Sequence, residues 1–77
     1  MKEHDIVEHL KKENEEFRKL SEEHRSLDSL LSEIDSKRYL SPEEEFERKN
    51  IQKQKLLKKD RMAELVRKYR QAHSSLN

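Results

Sequence analysis

With no glycine and a single proline among 77 residues, this chain has one place where a helix is obliged to break, Pro42. The break is well marked, in Leu40-Ser41-Pro42-Glu43-Glu44. Ser41 suits the N-cap, Pro42 the first helical position, and Glu44 stands where it can complete a capping box. Proline also disfavours helical geometry at the residue before it, so a preceding helix must end ahead of Ser41. Glu43, Glu44, Glu45 and Glu47 follow where a helix dipole favours negative charge.

Upstream, Ile6, Leu10, Phe17, Leu20, Leu27, Leu31 and Ile34 recur in steps of four and three, with Glu13 and His24 filling the two remaining places. A period of 3.5 residues is the heptad spacing of helices wound around a partner. Asp5 with Glu8 is a plausible opening cap, and Lys37 and Arg38 suit a closing turn. The spacing predicts one helix over 5–36, a turn over 37–41, a second helix over 42–71 and a frayed tail over 72–77. Within the second helix, Phe46, Lys49, Lys53, Leu56, Asp60 and Ala63 form one heptad line. Ile51, Met62, Leu65 and Tyr69 lie on an adjacent face, with Val66 between the two.

Two long helices joined by so short a turn are expected to pair as an antiparallel coiled-coil hairpin, an all-α fold in a single unit spanning 1–77. Folding about the turn sets Leu20 against Leu56 or Leu57, Leu31 against Phe46, and Leu10 against Val66. Charge favours the same pairing. Residues 1–40 carry 8 basic and 11 acidic groups, and residues 41–77 carry 10 and 6. Ile6, Val7, Leu10, Met62, Leu65, Val66 and Tyr69 then gather at the open end. One seam cannot cover them all, so they are the expected interface of a homo-oligomer, a four-helix dimer with a wider core.

Composition excludes several functions. Charged residues make up 45% of the chain and apolar ones 30%, which leaves little core in which to build a dry catalytic pocket. Neither enzymatic activity nor a small-molecule substrate is expected. The absence of cysteine removes disulfides, thiolate metal sites and thiol catalysis. Uninterrupted apolar runs are dipeptides such as Leu30-Leu31, too short to span a membrane. The Met1–Asp5 start does not read as a signal peptide, and a cytoplasmic location is the default expectation.

Chemistry-bearing residues have plain structural readings. His4 with Glu8 and Asp5 with His9 are one helical turn apart, but a metal site needs three or four ligands, so neither a metal nor a cofactor is expected. Glu13, His24 and Asp60 are polar residues on the two heptad lines, His24 read as a register-setting position and Glu13 and Asp60 as ion-pair partners of nearby arginines or lysines. Arg48, Lys49, Lys53, Lys55, Lys58 and Lys59 form a basic patch that could grip phosphate. Yet the net charge is only +1, and no aromatic residue lies between Phe46 and Tyr69. A nucleic-acid or ribosome-associated protein using this basic second helix is therefore the alternative, behind a protein-interaction module.

His24-Arg25-Ser26-Leu27-Asp28, followed by Lys55-Leu56-Leu57-Lys58-Lys59-Asp60, resembles the YdcH-like family of small uncharacterised bacterial proteins. The likeness runs from about Ile6 to Arg70 and includes Asp5-Ile6-Val7-Glu8. Lys58 departs from it, standing where an apolar residue is expected. The resemblance implies a two-helix antiparallel hairpin and assigns no biochemical role. The functional expectation is a self-associating protein-interaction module, whose further protein partner has no signature in the residues.

Overall fold

The computed structural model describes residues 2–74. The described chain is all-α, with three helices: α1 (Glu3–Glu13), α2 (Glu15–Asp35) and α3 (Pro42–Ser74). Its extents of 54 × 19 × 17 Å are those of a slender body about as long as α3, whose 33 residues rise about 50 Å.

The expected first helix over 5–36 is interrupted. Asn14 leaves helical geometry (φ −116°, ψ 109°), and its Oδ1 accepts a hydrogen bond from the Phe17 amide at 2.9 Å, capping α2. Asparagine is among the best caps, and Glu15 and Glu16 supply the acidic first turn that the dipole favours. Lys2, not Asp5, occupies the cap position of α1.

The break reverses the chain. Glu3 and Val7 line the same cavity as Phe17, His24, Met62 and Val66. In one continuous helix Glu3 and His24 would stand about 31 Å apart. α1 therefore lies back over α2 and α3, and Ile6, Leu10, Phe17 and Val66 form the buried core, flanked by Val7, Met62, Leu65 and Tyr69. Ile6 and Phe17 are each only 1% exposed. Burial of a large apolar side chain is worth about 1.5–3 kcal/mol, which explains why folding back wins over a straight helix with one neighbour.

Cross-helix ion pairs join α2 to α3 in opposite order along the two helices. Glu16 pairs with Arg61, Glu23 with Lys58, Asp28 with Lys55 and Asp35 with Arg48. The Glu16–Arg61 pair keeps the expected register, whereas nearer the turn the pairing is displaced, since Asp28 meets Lys55 where residue 48 or 49 was the anticipated partner. Leu31 lines a groove with Leu56, and Phe46 points away from it into solvent.

The turn carries the expected cap in full. The Glu44 amide donates to Ser41 Oγ (3.2 Å), and the Ser41 amide donates to Glu44 Oε1 (3.1 Å). Lys37 adds an ion pair to the same Glu44 carboxylate. Ser41→Ala is expected to lower stability by about 1 kcal/mol. Thermal unfolding followed by circular dichroism measures this, and an unchanged midpoint would contradict it. α3 continues through 72–74, part of the stretch expected to fray, while 75–77 lie outside the described residues.

Candidate interaction surface

α3 presents two heptad lines, and the structure places them oppositely to expectation. Facing inward are Glu44, Arg48, Ile51, Lys55, Lys58, Met62, Leu65 and Tyr69, all buried or half-buried. The Phe46, Lys49, Lys53, Leu56, Asp60 and Ala63 line faces solvent. Charge explains the choice of phase. With this phase Arg48, Lys55 and Lys58 stand opposite acidic residues of α2, with N–O distances of 2.6 Å to Asp35, Asp28 and Glu23. With the other phase Lys49, Lys53 and Asp60 would face α2 in their place.

The seven residues expected to form an exposed end patch are drawn into the chain's own core. Ile6, Leu10 and Val66 are buried, and Val7, Met62, Leu65 and Tyr69 are half-buried against them. The Tyr69 ring lies between two imidazoles, 5.0 Å from His9 and 3.9 Å from His73, whose Nδ1 bonds the Tyr69 carbonyl at 2.9 Å. The returning α1 covers this end, an outcome that a straight helix could not produce.

Of the three polar heptad positions, only His24 is in the seam. It is half-buried, and its Nε2 finds no hydrogen-bond partner among the described residues. It shares its cavity, about 360 Å³, with Lys55 and Lys59. Glu13 and Asp60 are exposed, Glu13 as the last residue of α1 beside the break at Asn14 and Asp60 because its whole line faces outward.

The basic patch divides in two. Arg48, Lys55 and Lys58 are committed to α2 carboxylates, whereas Lys49, Lys53 and Lys59 are exposed and enter no ion pair among the described residues. Arg61, which the patch did not include, is the most connected cation. Its guanidinium grips Glu16 through two hydrogen bonds (2.9 and 3.1 Å) and also reaches Glu64 at 3.1 Å. A carboxylate on α2 opposite an arginine on α3 is the signal that would have found it.

These pairs shift the carboxylates as a set. Hydrogen bonds from Arg61, Lys58, Lys55 and Lys68 hold Glu16, Glu23, Asp28 and Glu64, respectively, below their usual range. Lys37 and the Ser41 amide bring Glu44 down to about 2. A carboxyl group depressed in the folded state stabilises the fold above its unfolded pKa and loses that contribution as pH falls through its folded value. The melting temperature is therefore expected to hold above about pH 4.5 and to drop steadily toward about pH 2, where Glu44 protonates last. High salt is expected to flatten the drop, because the pairs are solvent-exposed. Melting temperatures across this range test it, and a flat profile would contradict it.

Five large apolar side chains remain exposed on the described residues. Phe46 is 72% exposed, Leu56 57% and Leu57 53%, and Leu30 and Tyr39 are exposed as well. Leu56 also borders a groove of about 290 Å³ shared with Leu31, Gln52, Lys55 and Lys59. Among the described residues no helix is long and apolar enough to cross a membrane, and no cluster of three or more metal-ligating side chains is present. No family model, curated protein or solved structure matches this chain.

Proposed function

We propose that this protein is a non-catalytic, self-associating interaction module of the cytoplasm. In this reading α2 and α3 act as an antiparallel coiled-coil hairpin, α1 seals its open end, and two chains assemble into a four-helix dimer. The observation that carries it is the outward heptad line of α3. Phe46 and Leu56 lie on that line and Leu57 flanks it, all exposed in a chain with few apolar residues to spare. Apolar side chains repeated along one helix face mark a surface built for another helix. Membership of the YdcH-like family is part of the same reading. The Asp28–Lys55 pair supports it by tying together the two segments that carry the resemblance.

The test is sedimentation equilibrium of the full chain at micromolar concentrations. The expected mass rises reversibly with concentration from 9.4 kDa toward twice that value. Apolar association predicts that raising the salt does not dissolve the dimer. A mass that stays at 9.4 kDa throughout the range would contradict self-association.

A second reading, nucleic-acid binding, draws support from Lys49, Lys53 and Lys59, which stand exposed outside every ion pair found among the described residues. Fluorescence titration with generic RNA separates the two. Binding whose affinity falls steeply with salt, with a slope of several charges, would favour this alternative.

A further inference from the structure

Resting on self-association as the function, we infer that the partner of the outward α3 face is the same face of a second copy, running antiparallel in one register. In that register Phe46 lies over Ala63 of the other copy, Lys49 opposite Asp60, and Lys53 opposite Leu56. The two-fold axis passes between Gln54 and Lys55.

The exposed line is Phe46, Lys49, Lys53, Leu56, Asp60 and Ala63, a strict alternation of three and four residues. In an antiparallel pair of such lines, each residue at one kind of heptad position meets one of the other kind. Charge and size then select among the few alignments. In the proposed register the largest residue of the line covers the smallest, and both Lys49–Asp60 contacts join opposite charges. Symmetry makes each of these contacts twice.

The competing alignments fail on the same residues. Slid one heptad one way, Lys49 faces Lys53 and the two cations repel. Slid one heptad the other way, Leu56 faces Asp60, and Phe46 and Lys49 run past the end of the line. A parallel, in-register pair sets Lys49 on Lys49, Lys53 on Lys53 and Asp60 on Asp60. Like charges directly opposite each other are destabilising.

Lys53 is the weak point of the favoured register. Its stem can lie along Leu56 of the other copy while the ammonium reaches water, which keeps the contact apolar at limited cost. Leu57 flanks the line on one side and adds apolar cover. Lys49, Lys53 and Asp60 enter no ion pair among the described residues, so association breaks no salt bridge of the fold.

A charge-reversal cycle tests this on the full chain, by sedimentation equilibrium and with circular dichroism to confirm folding. Lys49→Glu and Asp60→Lys are each expected to weaken dimerisation about tenfold, and the double variant to regain most of the loss. An equimolar mixture of the two single variants is also expected to regain it, as a heterodimer. There the introduced glutamate meets the introduced lysine, and the native Asp60 of one copy meets the native Lys49 of the other. Lys53→Leu is expected to tighten the dimer. If both single variants weaken association and neither the double variant nor the mixture is any better, the register is overturned while self-association stands. A monomer at every concentration would overturn both. Because these positions are exposed, the variants are expected to fold. As a check independent of charge, an equimolar mixture of Phe46→Cys and Ala63→Cys chains is expected to form a mixed disulfide dimer in this otherwise cysteine-free protein. Only like-with-like disulfides would overturn the register.

Discussion

Phe17→Ala is expected to remove about 3–5 kcal/mol of stability, the range for truncating a buried phenylalanine. The ring is 1% exposed and joins Ile6 and Leu10 of α1 to Val66 of α3. Its amide is also the donor that Asn14 caps, so the same residue fixes both the start of α2 and the seat of α1. A chain of this length holds roughly 4–12 kcal/mol in total, so the loss is a large part of the whole. The expected result is loss of α1 docking and a fall in helicity at 25 °C, with the midpoint of thermal unfolding lowered by tens of degrees. Phe17→Leu, which keeps most of the volume, is expected to fall well short of this. An alanine variant that melts within a few degrees of the wild type would contradict the fold-back.

The second large effect concerns association rather than folding. Leu56→Glu combined with Leu57→Glu places two carboxylates on a surface where the fold has little to lose, since both residues are more than half exposed. Helix propensity changes little between leucine and glutamate. In a dimer the same carboxylates would be drawn from water into an apolar contact, at a cost in each copy. The dimer dissociation constant is expected to rise at least about a hundredfold, or about 2.8 kcal/mol, with the melting temperature of the monomer changed by no more than a few degrees. Unchanged mass in sedimentation would show that the partner face lies elsewhere on the molecule.

Much of this was legible in the residues. The alternation from Ile6 to Ile34 picks out the inward face of α2, and Ser41-Pro42-Glu43-Glu44 forms the cap it spells. Two features depend on tertiary balance. Asn14 carries the signature of a cap, but asparagine inside a helix costs little. Only the gain from burying Ile6 and Leu10 decides that the helix breaks there. On α3 the two heptad lines hold similar apolar content, so hydrophobic spacing alone cannot choose between them. The choice belongs to Arg48, Lys55 and Lys58, which become inward residues once Asp35, Asp28 and Glu23 stand opposite them. Which face of α3 stays exposed followed from that choice. Residues expected at an interface became core, and the line expected in the core became the exposed face.

Chemical-shift changes on dilution, recorded residue by residue by nuclear magnetic resonance, test this division most directly. The outward face of α3 is held to meet another chain, while the residues around Ile6, Leu10 and Val66 serve the fold. Concentration-dependent shifts are therefore expected at Phe46, Lys49, Lys53, Leu56, Leu57, Asp60 and Ala63, with Ile6, Leu10, Phe17 and Val66 constant. Shifts concentrated at Ile6, Leu10 and Val66, with Phe46 and Leu56 unmoved, would contradict the account.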